Sequence, residues 1–230
     1  MKTMNSDSFR TTFLTLTLAF TAGFTFQSVG ADETPDADSS QVKWISLLNQ
    51  DSLCGWKTAD YAGHGPVSME EGAMILGMGN CMTGATYTND FPFKINYEIQ
   101  LKAKRVSGSD FFCALTFPVN EDPCSLIIGG WGGGLVGISN LDGQDASQNE
   151  TTSFRKFDNN RWYTIRMRVE DNRMQAWIDE DQVVDVVTTN RKISIRPEVD
   201  LSRPLGLGSW CTTAAIKDIK IRQLTPKSED

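Results

Sequence analysis

Residues 93–104, FKINYEIQLKAK, constrain the fold more than any other stretch of this chain. Phe93, Ile95, Tyr97, Ile99, Leu101 and Ala103 share one parity, while Lys94, Asn96, Glu98, Gln100, Lys102 and Lys104 share the other. Side chains of a strand alternate between faces, so a period of two held over a dozen residues predicts a strand with one buried and one wet face. Shorter runs of the same kind mark 111–119, 162–170, 173–180, 182–187 and 215–224. Between them stand Ser107-Gly108-Ser109, Asn120-Glu121-Asp122-Pro123, Asp142-Gly143, Asp158-Asn159-Asn160 and Asp171-Asn172, all residue types that favour reversals. No stretch carries a helical period of useful length. Many short strands with regular turns predict an all-β fold, a two-sheet antiparallel jelly-roll sandwich.

The N-terminus reads differently. Lys2 and Arg10 bracket a charged start, residues 13–26 are apolar, and Val29-Gly30-Ala31 supplies small residues, which together predict a secretory signal peptide over 1–31, cleaved after Ala31. The apolar run is shorter than the roughly 20 residues a membrane helix needs, and no cysteine precedes Cys54 for lipid attachment. The expected location is secreted or periplasmic, without a membrane anchor. Residues 32–41 are acidic and lack apolar periodicity, and read as a disordered leader. One domain is expected over 42–226.

A net charge of -7 argues against nucleic acid as a partner, because a polyanion needs a clustered Lys/Arg surface and the basic residues are scattered along the sequence. The five cysteines, Cys54, Cys81, Cys113, Cys124 and Cys211, contain no C-x-x-C pair, so zinc is not expected. Their odd number leaves at least one free thiol, and some are expected as small buried residues in strands.

The stretch 124–145, CSLIIGGWGGGLVGISNLDGQD, begins as an apolar run, passes through five glycines around Trp131 and resumes as a strand. Each glycine would cost about 1 kcal/mol inside a helix, whereas glycine in a sheet marks bends and close approaches. Trp131 is therefore either a plug that fills the space beside those glycines or an indole offered to a ligand. No Gly-Lys-Ser/Thr ending follows, so the loop is not a phosphate loop.

The order of motifs resembles the 3-keto-disaccharide hydrolase family: WISLLNQDSLCGW at 44–56, VSMEEGAMILG at 67–77, TNDFPFKINYEIQLKAK at 88–104, the 161–186 segment, and PLGLGSWCTTAAIKDIKIRQL at 204–224. The resemblance covers essentially the whole mature domain and implies a concanavalin A-like, laminin-G-like jelly roll in an exported glycan-processing protein. It also implies an upstream dehydrogenase that makes the keto sugar. Where such relatives carry an Asn-Ser-Gly turn, this chain has Gly108-Ser109-Asp110, and Asp110 joins Trp131 as a substrate-binding candidate. The family's Gly-Tyr-Glu strand is replaced by the Trp131 loop, and its His-Gly pair by Ser209-Trp210-Cys211.

Glycoside cleavage commonly uses two carboxyl groups, and acidic residues gather after the glycine loop in Asp142, Asp145 and Glu150. These are the catalytic candidates, against the plainer reading of a turn with a solvated surface. The single histidine, His64, lies in a polar loop and is the candidate acid or base, or else incidental. No G-x-S-x-G elbow is present. An oxygen-rich loop could hold calcium, but the spacing does not match an EF-hand, and no metal or cofactor is assigned. Asn149-Glu150-Thr151 matches an N-glycosylation sequon. Trp162 and Trp177 fall on the polar parity of their strands, while Trp44, Trp56 and Trp210 read as core or edge packing. Two functions stay open: a hydrolase of 3-keto disaccharides or related glycosides, and a non-catalytic glycan-binding module on the same scaffold.

Overall fold

The computed structural model describes residues 43–225. The expected signal peptide, its cleavage point and the acidic leader lie outside the described residues. In chain order the strands are β1 (Ile45–Ser46), β2 (Trp56–Thr58), β3 (Val67–Glu70), β4 (Ala73–Leu76), β5 (Met82–Tyr87), β6 (Tyr97–Gly108), β7 (Cys113–Val119), β8 (Asp122–Gly129), β9 (Leu135–Ser139), β10 (Ser153–Phe154), β11 (Tyr163–Val169), β12 (Arg173–Ile178), β13 (Asp181–Val187), β14 (Gly206–Trp210) and β15 (Thr212–Gln223). They make two antiparallel sheets. One has eight strands, ordered β13-β12-β11-β6-β15-β4-β3 with β1 beside β15, and the other has seven, ordered β10-β9-β8-β7-β14-β5-β2. The architecture is the all-β jelly-roll sandwich that the alternating strands predict.

The core lies between the sheets. Tyr97, Ile99, Leu101 and Ala103 of β6 are fully buried against Leu115, Phe117, Cys124, Leu126, Ile128, Val136 and Ile138 of the opposite sheet. Each aliphatic side chain so buried contributes roughly 1.5–3 kcal/mol through loss of apolar surface from water. The strand starts later than the alternation suggests, at Tyr97 rather than Phe93. Asn96 has φ 54°, which ends the extended run, and Phe91 and Phe93 fold onto the Tyr97 ring instead, with centroids 5.5 and 6.2 Å away. Cys113 and Cys124 are buried strand residues, and burial pushes the Cys113 thiol up to about 12. All five cysteines are free thiols.

The outer face of the seven-stranded sheet carries small side chains where the inner face carries large ones. Ala114, Thr116, Ser125, Gly137, Ser139 and Gly208 alternate with core residues along β7, β8, β9 and β14. At Gly208 an added Cβ would lie 2.2 Å from Met82 Cε, so the Met82 side chain lies directly over that glycine. Such a floor leaves a concavity, walled on one side by the β8–β9 turn and on the other by a 3-10 turn, Pro197–Ser202.

Candidate functional site

A cavity of about 260 Å³ opens on this face, lined by Met82, Phe111, Ser125 and Ile127 at its floor and by Asp110, Trp131, Arg196, Glu198 and Trp210 around its mouth. Its volume lies below the ~300–1,000 Å³ of pockets for drug-sized ligands, so it suits a small molecule or the end of a larger one.

The glycine loop makes the first wall. β8 ends at Gly129, and the chain reverses through a single turn, Gly130–Gly133, in which Trp131 (φ 46°, ψ 57°) and Gly132 (φ 87°, ψ 18°) are left-handed. This is a tight reversal between two strands and not a right-handed helix. Arg105 holds the turn from beneath. It sits at the end of the inward row of β6 and is 5% exposed. Its Nη2 donates to the carbonyls of Gly133 at 2.8 Å and Gly129 at 3.3 Å, and its Nε donates to the carbonyl of Asp110 at 3.2 Å. Burial lowers the guanidinium pKa, the nearby Asp110 charge opposing this. A Cβ at Gly129 would stand 2.7 Å from Arg105 Nη2, so this left-handed position admits only glycine. Asp110 closes the arrangement: its Oδ1 accepts the Phe111 N–H at 2.7 Å and its Oδ2 the Gly132 N–H at 3.3 Å. Trp131 is left 43% exposed at the rim. It does not plug the sheet.

The opposite wall is electrostatic. Arg196 donates to Glu198 through Nη2 at 2.7 Å and Nε at 3.3 Å, and to Asp145 Oδ2 through Nη1 at 2.8 Å. Its hydrogen bonds hold the Glu198 carboxyl below the usual range, so Glu198 faces the cavity ionised.

The four residues expected to supply catalysis do not come together here. Asp142 and Glu150 are joined through Arg191, which donates from Nε to Asp142 and from Nη2 to Glu150 at 3.3 Å. The Lys192 N–H, donating to Asp142 Oδ1 at 2.8 Å, and then Arg191 hold Asp142 below its usual range; Arg191 does the same for Glu150. Neither lines the cavity. Asp145 stands one shell behind it. Burial works against its charge, but hydrogen bonds from Ser147 and the Arg196 cation leave its carboxyl lowered. His64 is also outside, its Nδ1 2.8 Å from the Gly65 carbonyl and its Nε2 3.9 Å from the Asp60 carboxylate. Of the residues singled out from sequence, only Trp131 and Asp110 line the cavity. Trp210, read from sequence as core or edge packing, does pack at the edge, against Phe111 and the Ala59, Tyr61, Met82 and Val199 cluster, and its ring also lines the cavity. Arg196 and Glu198 lie in an aperiodic segment, ISIRPEVD, which offers no signal. Arg105 did leave one: it is a cation on the buried parity of β6.

Asn149 of the sequon is 7% exposed. Its amide donates to the carbonyls of Ile138 and Asp145 at 2.8 Å, and its Oδ1 accepts from Thr151 N and Oγ1, so it pins the loop from inside. Among the described residues no group of three or more His, Cys, Asp or Glu could hold a metal, and no helix is long and apolar enough to cross a membrane.

Residues 43–222 match the sequence profile of the 3-keto-alpha-glucoside-1,2-lyase-like domain. The chain belongs to this family. Membership ties it to carbohydrate chemistry. No curated protein matches it in sequence. Among solved structures it is similar to the Crh5 transglycosylase (TM-score 0.55, 10% identity, 80% of this chain and 85% of that one). It is also similar to the exoplasmic/lumenal domain of VIP36 in its Ca2+/Man3GlcNAc-bound form (0.53, 12%, 80% and 90%), and to a chain from work on endo-acting O-glycanases of the human gut microbiota (0.50, 11%, 78% and 95%). At such identities the likeness is one of fold, a concanavalin A-like sandwich.

Proposed function

We propose that the chain cleaves the glycosidic bond of 3-keto disaccharides or related 3-keto glycosides in this cavity. The observation that carries the reading is Glu198, a carboxylate held ionised by Arg196 at the mouth of a pocket with two indoles. Direct glycoside hydrolysis calls for a protonated carboxyl group beside an ionised one, and Glu198, its pKa lowered by Arg196, can serve only as the ionised partner. An ionised carboxylate is what elimination needs. A C3 carbonyl acidifies the C2 proton; the base removes it, the C2–H electron pair forms a C1–C2 double bond, and the C1–O bond breaks. Its electron pair leaves on the glycosidic oxygen, which takes up a proton, and addition of water across the double bond completes net hydrolysis. Glu198 is the proposed base, Trp131 and Trp210 the faces for the sugar ring, and Asp110 an acceptor for its hydroxyls.

Incubation of the purified chain with a 3-keto glycoside and its unoxidised parent, in deuterium oxide, tests this. Release from the keto form alone, with deuterium entering at C2, is expected, together with a loss of about 10²-fold or more in Glu198→Gln, the scale of a general base. Release without C2 exchange would overturn the elimination route. A second reading, glycan binding without turnover, is favoured by the Arg196 fork on Glu198, which occupies both its oxygens; saturable binding with no release from either sugar would establish it.

The reading includes action outside the cytoplasm after cleavage following Ala31, tested by sequencing the N-terminus of the exported protein. It also includes supply of the keto sugar by a separate dehydrogenase acting on the C3 hydroxyl.

A further inference from the structure

The opposite side of the sandwich carries a second arrangement that the cavity does not use. Basic residues that are scattered along the sequence are gathered by strand register on the outer face of the eight-stranded sheet. Lys102 and Lys104 come from β6, Arg166 and Arg168 from β11, and Lys217, Lys220 and Arg222 from β15. Arg168, Glu98 and Arg222 lie in one row across the three strands, and Arg166, Gln100 and Lys220 in the next. The outward face of these strands holds seven cations against two carboxylates, Glu98 and Asp218, in a chain whose net charge is -7.

The carboxylates do not neutralise the face. Asp218 pairs with Lys102 at 3.0 Å. Glu98 is fully buried beneath three guanidinium groups: Arg168 at 2.9 Å, Arg222 at 3.1 Å and Arg166 at 3.8 Å. One negative charge under three positive ones leaves two in excess, and Arg222 Nε has no acceptor. The three indoles of the face hold the cations in place. Lys104 and Lys217 lie over Trp162 at 4.8 and 4.5 Å, Arg166 and Arg168 over Trp177 at 4.0 and 5.4 Å, and Lys220 and Arg222 over Trp44 at 4.8 and 4.6 Å.

We infer that this face is a binding surface for an anionic polysaccharide, a linear glycan bearing carboxylate or sulfate groups, distinct from the cavity on the other sheet. Charge complementarity selects a polyanion. The cations already cover the ring faces, so the surface presents rows of N–H donors and offers no open aromatic platform. That disfavours single-stranded nucleic acid, whose bases stack on exposed aromatic rings. The face is built from sheet strands alone and presents no helix to enter a duplex groove. Carboxylate and sulfate groups spaced along a glycan meet the guanidinium rows through charge-assisted hydrogen bonds.

The test uses the full chain and titrates it with polygalacturonate, heparin, neutral dextran and duplex DNA at low and moderate salt. Saturable binding of polygalacturonate or heparin is expected, weakening as salt rises, with none for dextran. Lys217→Glu/Lys220→Glu should weaken it by at least about tenfold, while Trp131→Ala, in the cavity, leaves it unchanged. If the charge-reversed variant does not fold, Lys217→Gln/Lys220→Gln, which keeps the length of the side chains, reads the same loss. Failure to bind either anionic glycan at low salt, equal binding by the variants, or DNA bound as tightly as the glycans would each overturn the inference.

Discussion

Trp131 and Arg105 form a pair in which one side chain is displayed and the other holds it. The indole is 43% exposed, so Trp131→Ala should alter unfolding free energy by no more than about 0.5 kcal/mol, as for other surface positions. Ligand affinity should fall by about tenfold or more, the scale of a lost stacking ring; urea unfolding beside a glycoside titration checks both. Arg105 predicts the reverse balance. Removing its guanidinium strands the buried carbonyl of Gly129, a cost of about 1–3 kcal/mol for a buried group left without a partner, and takes the donor from the half-buried carbonyl of Gly133. Arg105→Met should therefore lower the urea midpoint and also weaken the ligand, because the turn that carries Trp131 loses its support. A ligand affinity untouched by Arg105→Met would show that the turn holds its shape unaided. The sequence made Trp131 legible through its glycines, and Arg105 only by parity, since an inward cation becomes intelligible once the carbonyls it serves are seen.

At the scale of elements, the loop between β9 and β10 is tied to residues 191–196 by ion pairs. Arg191 joins Asp142 and Glu150, and Arg196 joins Asp145 and Glu198. Asp142 and Glu150 are both held below their ordinary values, 3.8 and 4.5. Groups with depressed folded values contribute stability that is present above the ordinary values and is lost as pH falls through the lowered ones. Wild type should thus be more stable than Arg191→Ala at neutral pH, and the difference should close near pH 2, as measured by thermal melts across pH; a constant gap would refute the assignment. The acidic run 142–150 is visible in sequence as a cluster of carboxylates. Its partners are not, because the arginines that claim those carboxylates lie some fifty residues on and reach them only through the loop crossing. The three acidic residues taken from sequence as catalytic candidates are all ion-paired to these arginines, and the carboxylates that line the cavity are Asp110 and Glu198.

Across the whole molecule the two sheets divide the work: small outward residues on the seven-stranded sheet make a cavity, and charged outward residues on the eight-stranded sheet make a cationic plane. The core between them is one cluster that includes Cys113 and Cys124. Iodoacetamide at mildly alkaline pH should modify the exposed Cys54 and Cys81 in the native protein, and Cys113 and Cys124 only at denaturant concentrations where the sandwich itself unfolds. Peptide mapping of the label checks this, and native labelling of Cys113 would mean that the sheets separate locally. Fold class, strand parity and the site of the glycine turn were determined by the sequence itself, because alternation and turn propensity are local properties written in neighbouring residues. What only the tertiary structure decided was which charges meet. Arg196 beside Glu198, Arg191 between Asp142 and Glu150, and seven dispersed cations on one face are all products of strand register and loop crossing, which join residues that no local pattern relates.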